Sequence, residues 1–118
     1  MKEKSYDTVV IGAGAAGIAA AVRCKELGMD VLLIENKDKI GGIPLQCTHP
    51  GFGNFYYDEN LTGTEFAERL IERLEDLNVD KMTEAHVTSI ENRSDLEKRV
   101  ELITPKGLYS VQTKTVIY

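Results

Sequence analysis

Residues 7–35, DTVVIGAGAAGIAAAVRCKELGMDVLLIE, leave few folds open to this chain. The apolar run Thr8-Val9-Val10-Ile11 has the length and β-branched character of a buried parallel strand. Gly12, Gly14 and Gly17 follow in G-x-G-x-x-G spacing, and the alanine-rich segment from Ala15 to Leu27 predicts a helix. Gly28 stops that helix at the position where a left-handed residue is usually needed. A second apolar run, Val31-Leu32-Leu33-Ile34, ends on the carboxylate of Glu35. Glycine-rich turns are common, so the spacing alone says little. Here the strand before, the helix after, the second strand and the terminal acid all agree. Ala21, a small residue on the packed helix face, extends the pattern.

Each glycine has a mechanical reason. Gly12 lets the chain turn sharply out of the strand. Gly14 lacks a Cβ, so a pyrophosphate can come close to the backbone. Gly17 lets the helix lie tight against the sheet. The helix then offers unpaired N–H groups and the positive end of its dipole to the phosphates. A charge held there gains about 0.3–1 kcal/mol. Glu35 stands where it can accept hydrogen bonds from a ribose 2′-OH, and it would repel a 2′-phosphate.

Composition narrows the function classes. With 118 residues the chain is one domain or part of one, with 42% hydrophobic and 28% charged residues, ordinary for a globular protein. A net charge of −5 argues against a nucleic-acid partner and against an anionic membrane surface. No apolar run approaches the ~20 residues of a membrane span. The opening MKEKSYD has no signal-peptide apolar core, so the expected location is the cytoplasm. Cys24 and Cys47 form no disulfide framework, and Cys24 reads as apolar filler.

After Glu35 the pattern loosens. Gly41-Gly42-Ile43-Pro44 cannot be regular structure. From Asn36 to Leu61 there is neither a convincing strand nor a long helix, yet the stretch is aromatic: a wall beside a cofactor, or an ordinary packed loop. Within it, Cys47 and His49 are weak candidates for a Cys-His nucleophilic pair, and no ligand set for a metal is present. Thr62 and Glu65 form a capping box, and Phe66, Leu70, Ile71, Leu74 and Leu77 form the apolar stripe of a second helix ending at Asn78. On its solvated face Arg73 can pair with Asp76. Residues 79–82 suit a third parallel strand. Residues 85–90, 99–103 and 108–111 alternate as a three-stranded antiparallel β-meander, with Pro105-Lys106-Gly107 as a tight turn. Residues 115–118 read as a buried returning strand. The fold class is therefore α/β, a Rossmann-like parallel sheet with an antiparallel meander, breaking off after the returning strand.

In this order the elements resemble the N-terminal FAD-binding segment of the flavoprotein oxidoreductases of the glutathione-reductase and thioredoxin-reductase type. IGGIPLQCTHPGFG followed by LTGTEFAERL looks most like the FAD-dependent pyridine-nucleotide oxidoreductases. The resemblance implies that Gly12, Ala13, Gly14, Ala15, Ala16 and Gly17 hold the FAD pyrophosphate and that Glu35, with Asn36 adjacent, binds the adenosine ribose. It implies that Gly41 and Gly42 line the phosphate and ribityl chain, that Val87 meets the adenine through its backbone, and that Gln46 and Cys47 approach the flavin. NAD(P)H would be the electron donor of the full-length protein. Pro44 stands where disulfide reductases of this type have the first cysteine of C-x-x-x-x-C, so a thiol-disulfide relay is not expected; Ile43 replaces the family's arginine. The Ala-Thr-Gly turn, an NAD(P)H domain and a C-terminal Gly-Asp segment do not follow Tyr118, so the piece alone is expected to be inactive. Its partners would be the rest of its own chain, a partner subunit, or a second copy covering the sheet edge.

Two other readings fit the fingerprint: a dehydrogenase-type NAD module, and a non-catalytic subunit that keeps a nucleotide for structural reasons. Glu35 does not separate FAD from NAD. The Gly41-Gly42 pair and the meander favour FAD, because a simple NAD domain would continue with alternating strands and helices.

Overall fold

The computed structural model describes residues 2–41, 50–52 and 61–118. The fingerprint strand β1 (Lys2–Ile11) leads into helix α1 (Ala15–Glu26) and strand β2 (Val31–Ile34). Two short strands, β3 (Pro50–Phe52) and β4 (Leu61–Thr62), pair antiparallel as a separate ribbon. Helix α2 (Gly63–Asp76) and strand β5 (Asp80–Met82) follow, and then three long strands, β6 (His86–Ser94), β7 (Glu97–Thr104) and β8 (Gly107–Ile117). The main sheet has the order β5-β2-β1-β8-β7-β6. Its first four strands run parallel, and β8, β7 and β6 form the antiparallel meander.

Register positions the site. Thr8 pairs with Val31 and Ile11 with Ile34, so the residues that follow, Gly12 and Glu35, emerge side by side. The Gly12 N–H donates to the Ile34 carbonyl at 2.8 Å, which carries the ladder one step past the strands. All four β2 residues are buried, as a strand covered on both faces requires. Val31 and Leu33 pack with Val10, Ile18, Val22, Leu70 and Leu74 on the helix side. Leu32 and Ile34 pack with Val9, Val100, Leu102 and Val111 on the other side, so the meander curls over the face the helices leave open. The Tyr6 hydroxyl ties β1 to β5 by donating to Asp80 Oδ2 at 2.7 Å. Burial first, then that bond and the charge of Asp80, push the phenol above its ordinary range.

Both helices close in the same way. The Gly28 N–H donates to the Lys25 carbonyl and the Met29 N–H to that of Cys24, with Gly28 at φ +87°. In α2 the Asn78 N–H donates to Glu75 and the Val79 N–H to Leu74, with Asn78 at φ +56°. These are paired Schellman closures, and asparagine serves in the second because its short side chain tolerates the left-handed region. The apolar stripe of α2 faces the core as its spacing predicts: Leu70 and Leu74 are buried, and Phe66, Ile71 and Leu77 pack beside them. The start of α2 agrees with the expected cap, although the Thr62 side chain lies outside the described part of the molecule. Arg73 reaches Glu26 of α1 at 3.0 Å, a bond between helices where the sequence suggested a pairing with Asp76.

Several boundaries differ from the sequence reading: β3 lies inside the stretch read as strandless, and β6 runs on to Ser94. β1 starts at Lys2 and not at Thr8, because Lys2–Tyr6 pair with Tyr109–Thr113 of β8. The third meander strand and the returning strand are one strand: Gln112, Thr113 and Lys114 do not interrupt it. Thr113 faces inward at 3% exposure, and its hydroxyl donates to the Thr115 carbonyl, which removes the cost of burying it. Among the described residues no helix is long and apolar enough to cross a membrane.

Candidate functional site

The first turn of α1 is bare. Gly14 is its N-cap residue and makes no side-chain capping bond, and the first turn carries no acidic residue. The leading N–H groups of an α-helix have no partner within the helix, so this end offers donors and the positive dipole end together. Among the described residues, a Cβ built on Gly14 would meet nothing within 4 Å, so their packing does not require glycine there. Gly17 is the opposite case. A Cβ there would stand 1.8 Å from the Gly12 carbonyl oxygen and 3.6 Å from Val10 Cγ1. Its absence lets the helix close onto the turn, a more local reason than sheet packing. Gly12 sits at φ +99° and makes the sharp exit from β1.

Glu35 is 9% exposed and faces this turn. Its Oε1 accepts the Ala13 N–H at 2.8 Å, and its Oε2 accepts the Lys37 N–H at 2.9 Å. Ala13, grouped by sequence with the phosphate-holding residues, thus gives its N–H to the acid, and its side chain is fully buried. The donors facing outward are those from Gly14 onward. The Ala13 carbonyl accepts the Gly41 N–H at 2.7 Å, which brings Gly41, at φ +118°, beside the fingerprint. An ionised carboxylate has about four acceptor positions. Two are used by backbone, and two remain open.

Beyond the carboxyl ends of β1 and β2 lies a cleft of about 290 Å³, lined by Ile11, Gly12, Ile34, Asn36, Ala85, His86 and Val87. Here the chain passes from β1 to β2 on one side while β8 lies on the other, the switch point where open α/β sheets take ligands. Asn36 and Val87, both expected at the site, share this wall. Ile11, Ala85 and His86 were not expected there. The family resemblance implied Val87 here, and the bonds from the Ala85 N–H to the Glu35 carbonyl, at 3.0 Å, and from the Glu84 N–H to the Lys37 carbonyl, at 2.8 Å, set the start of that strand against the end of β2. Gly42, Gln46, Cys47 and His49 lie outside the described residues. Among the described residues no cluster of His, Cys, Asp or Glu could hold a metal. The geometry suits an elongated ligand: an anionic centre at the bare helix end, a hydroxylated sugar at Glu35, and a flat apolar group in the cleft.

A model of the FAD dependent oxidoreductase family matches residues 7–115. The thioredoxin reductase of Ureaplasma parvum serovar 3 is 33% identical over 117 residues, covering 99% of this chain and 35% of that protein. The crystal structure of thioredoxin reductase from Streptococcus pyogenes MGAS5005 superposes with a TM-score of 0.74 at 32% identity, over 95% of this chain and 34% of that one. L-proline dehydrogenase from P. horikoshii shares the fold, with a TM-score of 0.84 at 23% identity, over 98% of this chain and 22% of that one. The chain spans about a third of the length of these thioredoxin reductases.

Proposed function

The chain belongs to the FAD dependent oxidoreductase family, whose cofactor is FAD, and on that premise we propose that residues 1–118 are the segment that grips the ADP half of the cofactor in a larger cytoplasmic enzyme. The full-length protein takes a hydride from NAD(P)H and passes electrons to a second acceptor. Bound FAD supplies the ring that accepts the hydride; the protein supplies placement and electrostatics. The first-turn amides of α1, from Gly14 through Ala15 and Ala16 to Gly17, hold the pyrophosphate. The two acceptor positions left on Glu35 take the ribose hydroxyls, and that carboxylate keeps a 2′-phosphate away. Asn36 and the backbone of Val87 border the adenine in the cleft. Gly41, with Gly42 next to it, carries the chain past the phosphates toward the ribityl side, and Gln46 and Cys47 lie toward the flavin. The surfaces that complete the flavin site and receive the nicotinamide come from the rest of the chain or a partner subunit. With Pro44 where disulfide reductases have their first cysteine, electron transfer does not run through a cysteine pair near the Gly41-Gly42 turn.

The observation that carries this reading is the open space at Gly14 on an uncapped helix end, with Glu35 beside it. The test is the full-length protein. It should purify with flavin absorbance, and in calorimetry the stripped protein should take up FAD far more tightly than NAD. Glu35→Ala should lose cofactor on dialysis. A colourless full-length protein that cannot be reconstituted with FAD would refute the proposal.

A further inference from the structure

Glu35 uses every polar group it has. Its N–H donates to the Met82 carbonyl at 2.8 Å, and its carbonyl accepts the Ala85 N–H at 3.0 Å. Its two carboxylate oxygens accept the N–H groups of Ala13 and Lys37 at 2.8 and 2.9 Å. Two further bonds spread from these partners. The Ala13 carbonyl accepts from Gly41 at 2.7 Å, and the Lys37 carbonyl accepts from Glu84 at 2.8 Å. Glu84 itself stands at φ +52°, a left-handed conformation unusual for glutamate. One residue thus joins the end of β5, the start of β6, the fingerprint turn and the loop leaving β2.

An acid kept only for a sugar would face it with both oxygens free. This one is nearly buried and holds two backbone donors from different segments. Bonds from N–H groups to an ionised carboxylate are roughly twice as strong as neutral ones, and the low-dielectric setting strengthens them. We propose that Glu35 is a positioning residue, holding the Gly12–Gly14 turn and the Lys37–Gly41 loop in their binding arrangement before the cofactor arrives. The inference rests on the FAD reading only for what the turn receives. The sugar then binds without displacing the brace, because two acceptor positions remain. Glutamine cannot reproduce it: its single oxygen accepts one of the two N–H groups, and its amide nitrogen meets the other donor head-on.

The test is residue-resolved amide hydrogen exchange by NMR on the full-length protein stripped of cofactor. The Ala13 and Lys37 amides should exchange about 100-fold more slowly than in an unstructured peptide. In Glu35→Gln one of the two should speed up by about tenfold or more while the Val9 and Val10 amides keep their protection. When FAD is added to the wild type, the Gly14 and Ala15 amide resonances should move and those of Ala13 and Lys37 should stay. Glu35→Asp, one methylene too short to span both donors, repeats the test should the glutamine variant fail to fold. Unprotected Ala13 and Lys37 amides in the stripped wild type would overturn the proposal, as would full protection of both in Glu35→Gln. Protected amides in a protein that takes up no FAD would leave the brace standing and sink the cofactor reading instead.

Discussion

The two helices end alike and begin differently. Each closes with the same pair of backbone bonds around a left-handed residue, Gly28 or Asn78, and each then feeds a parallel strand. At the opposite ends the similarity stops. Helix α2 carries Glu65 in its first turn, so its dipole is answered from within the chain. Among the described residues helix α1 has no acid there, no capping side chain, and a glycine with open space where a Cβ would stand. A helix whose only task is to pack would gain a few tenths of a kcal/mol from a capping side chain in place of glycine. Its omission at α1 is what the proposed phosphate site requires, whereas α2 is a strut.

That contrast breaks most visibly at the two glycines of one motif. Gly17→Ala sets a methyl against the Gly12 carbonyl oxygen at 1.8 Å, and backbone cannot swing aside as a side chain can. It should cost about 3 kcal/mol or more, read as a large fall in denaturant midpoint with or without cofactor. Gly14→Asp should do the reverse. The backbone there, at φ −77° and ψ −174°, is open to any residue, and an aspartate would cap the helix. The stripped protein should become more stable by a few tenths of a kcal/mol. FAD affinity should fall about 100-fold, because the new carboxylate takes the donors and repels the phosphates. Equal affinity in this variant would mean the bare end is not the phosphate site.

How much of this could be read from the residues follows the same division. The bare end was legible, since glycine spacing and the acid after β2 are local patterns with mechanical reasons. The helix closures were legible too, through Gly28 and Asn78. What escaped depends on partners distant in sequence. Lys2–Tyr6 looks polar and strandless until β8 pairs with it. Gln112–Lys114 looks like a break until that same pairing carries the strand through. The two uses of Glu35 could not be told apart, because spacing says the acid is near the turn but not that the Ala13 N–H reaches it first. His86 entered the cleft wall by the curl of the meander, which no periodicity within β6 encodes.

The closed ends should respond to smaller changes. Gly28→Ala forces a Cβ into the left-handed region and should cost about 1 kcal/mol, whereas Asn78→Gly relieves it and should gain a few tenths. Neither should alter FAD affinity. A change in affinity with Gly28→Ala would show that the two ends of α1 are coupled, which the separation of roles denies.

The smallest effect is a pH dependence confined to the closed side. Asp7 Oδ2 accepts the Asp30 N–H at 2.8 Å, just after α1 has closed, and Lys114 approaches Oδ1 at 3.4 Å. The backbone bond is the largest influence and holds this carboxyl below its ordinary value of 3.8; desolvation opposes it, and Lys114 adds a smaller pull in the same direction as the bond. A group whose pKa is lower in the folded state contributes stability above its unfolded value and loses it as pH falls through the folded one. The difference in melting temperature between wild type and Asp7→Asn should therefore be constant at neutral pH and shrink toward zero as the pH drops below about 4. FAD affinity at neutral pH should be the same in both. A difference that grows on acidification would mean that Asp7 is held protonated, with the Asp30 N–H bonded elsewhere and the closure of α1 built on other groups.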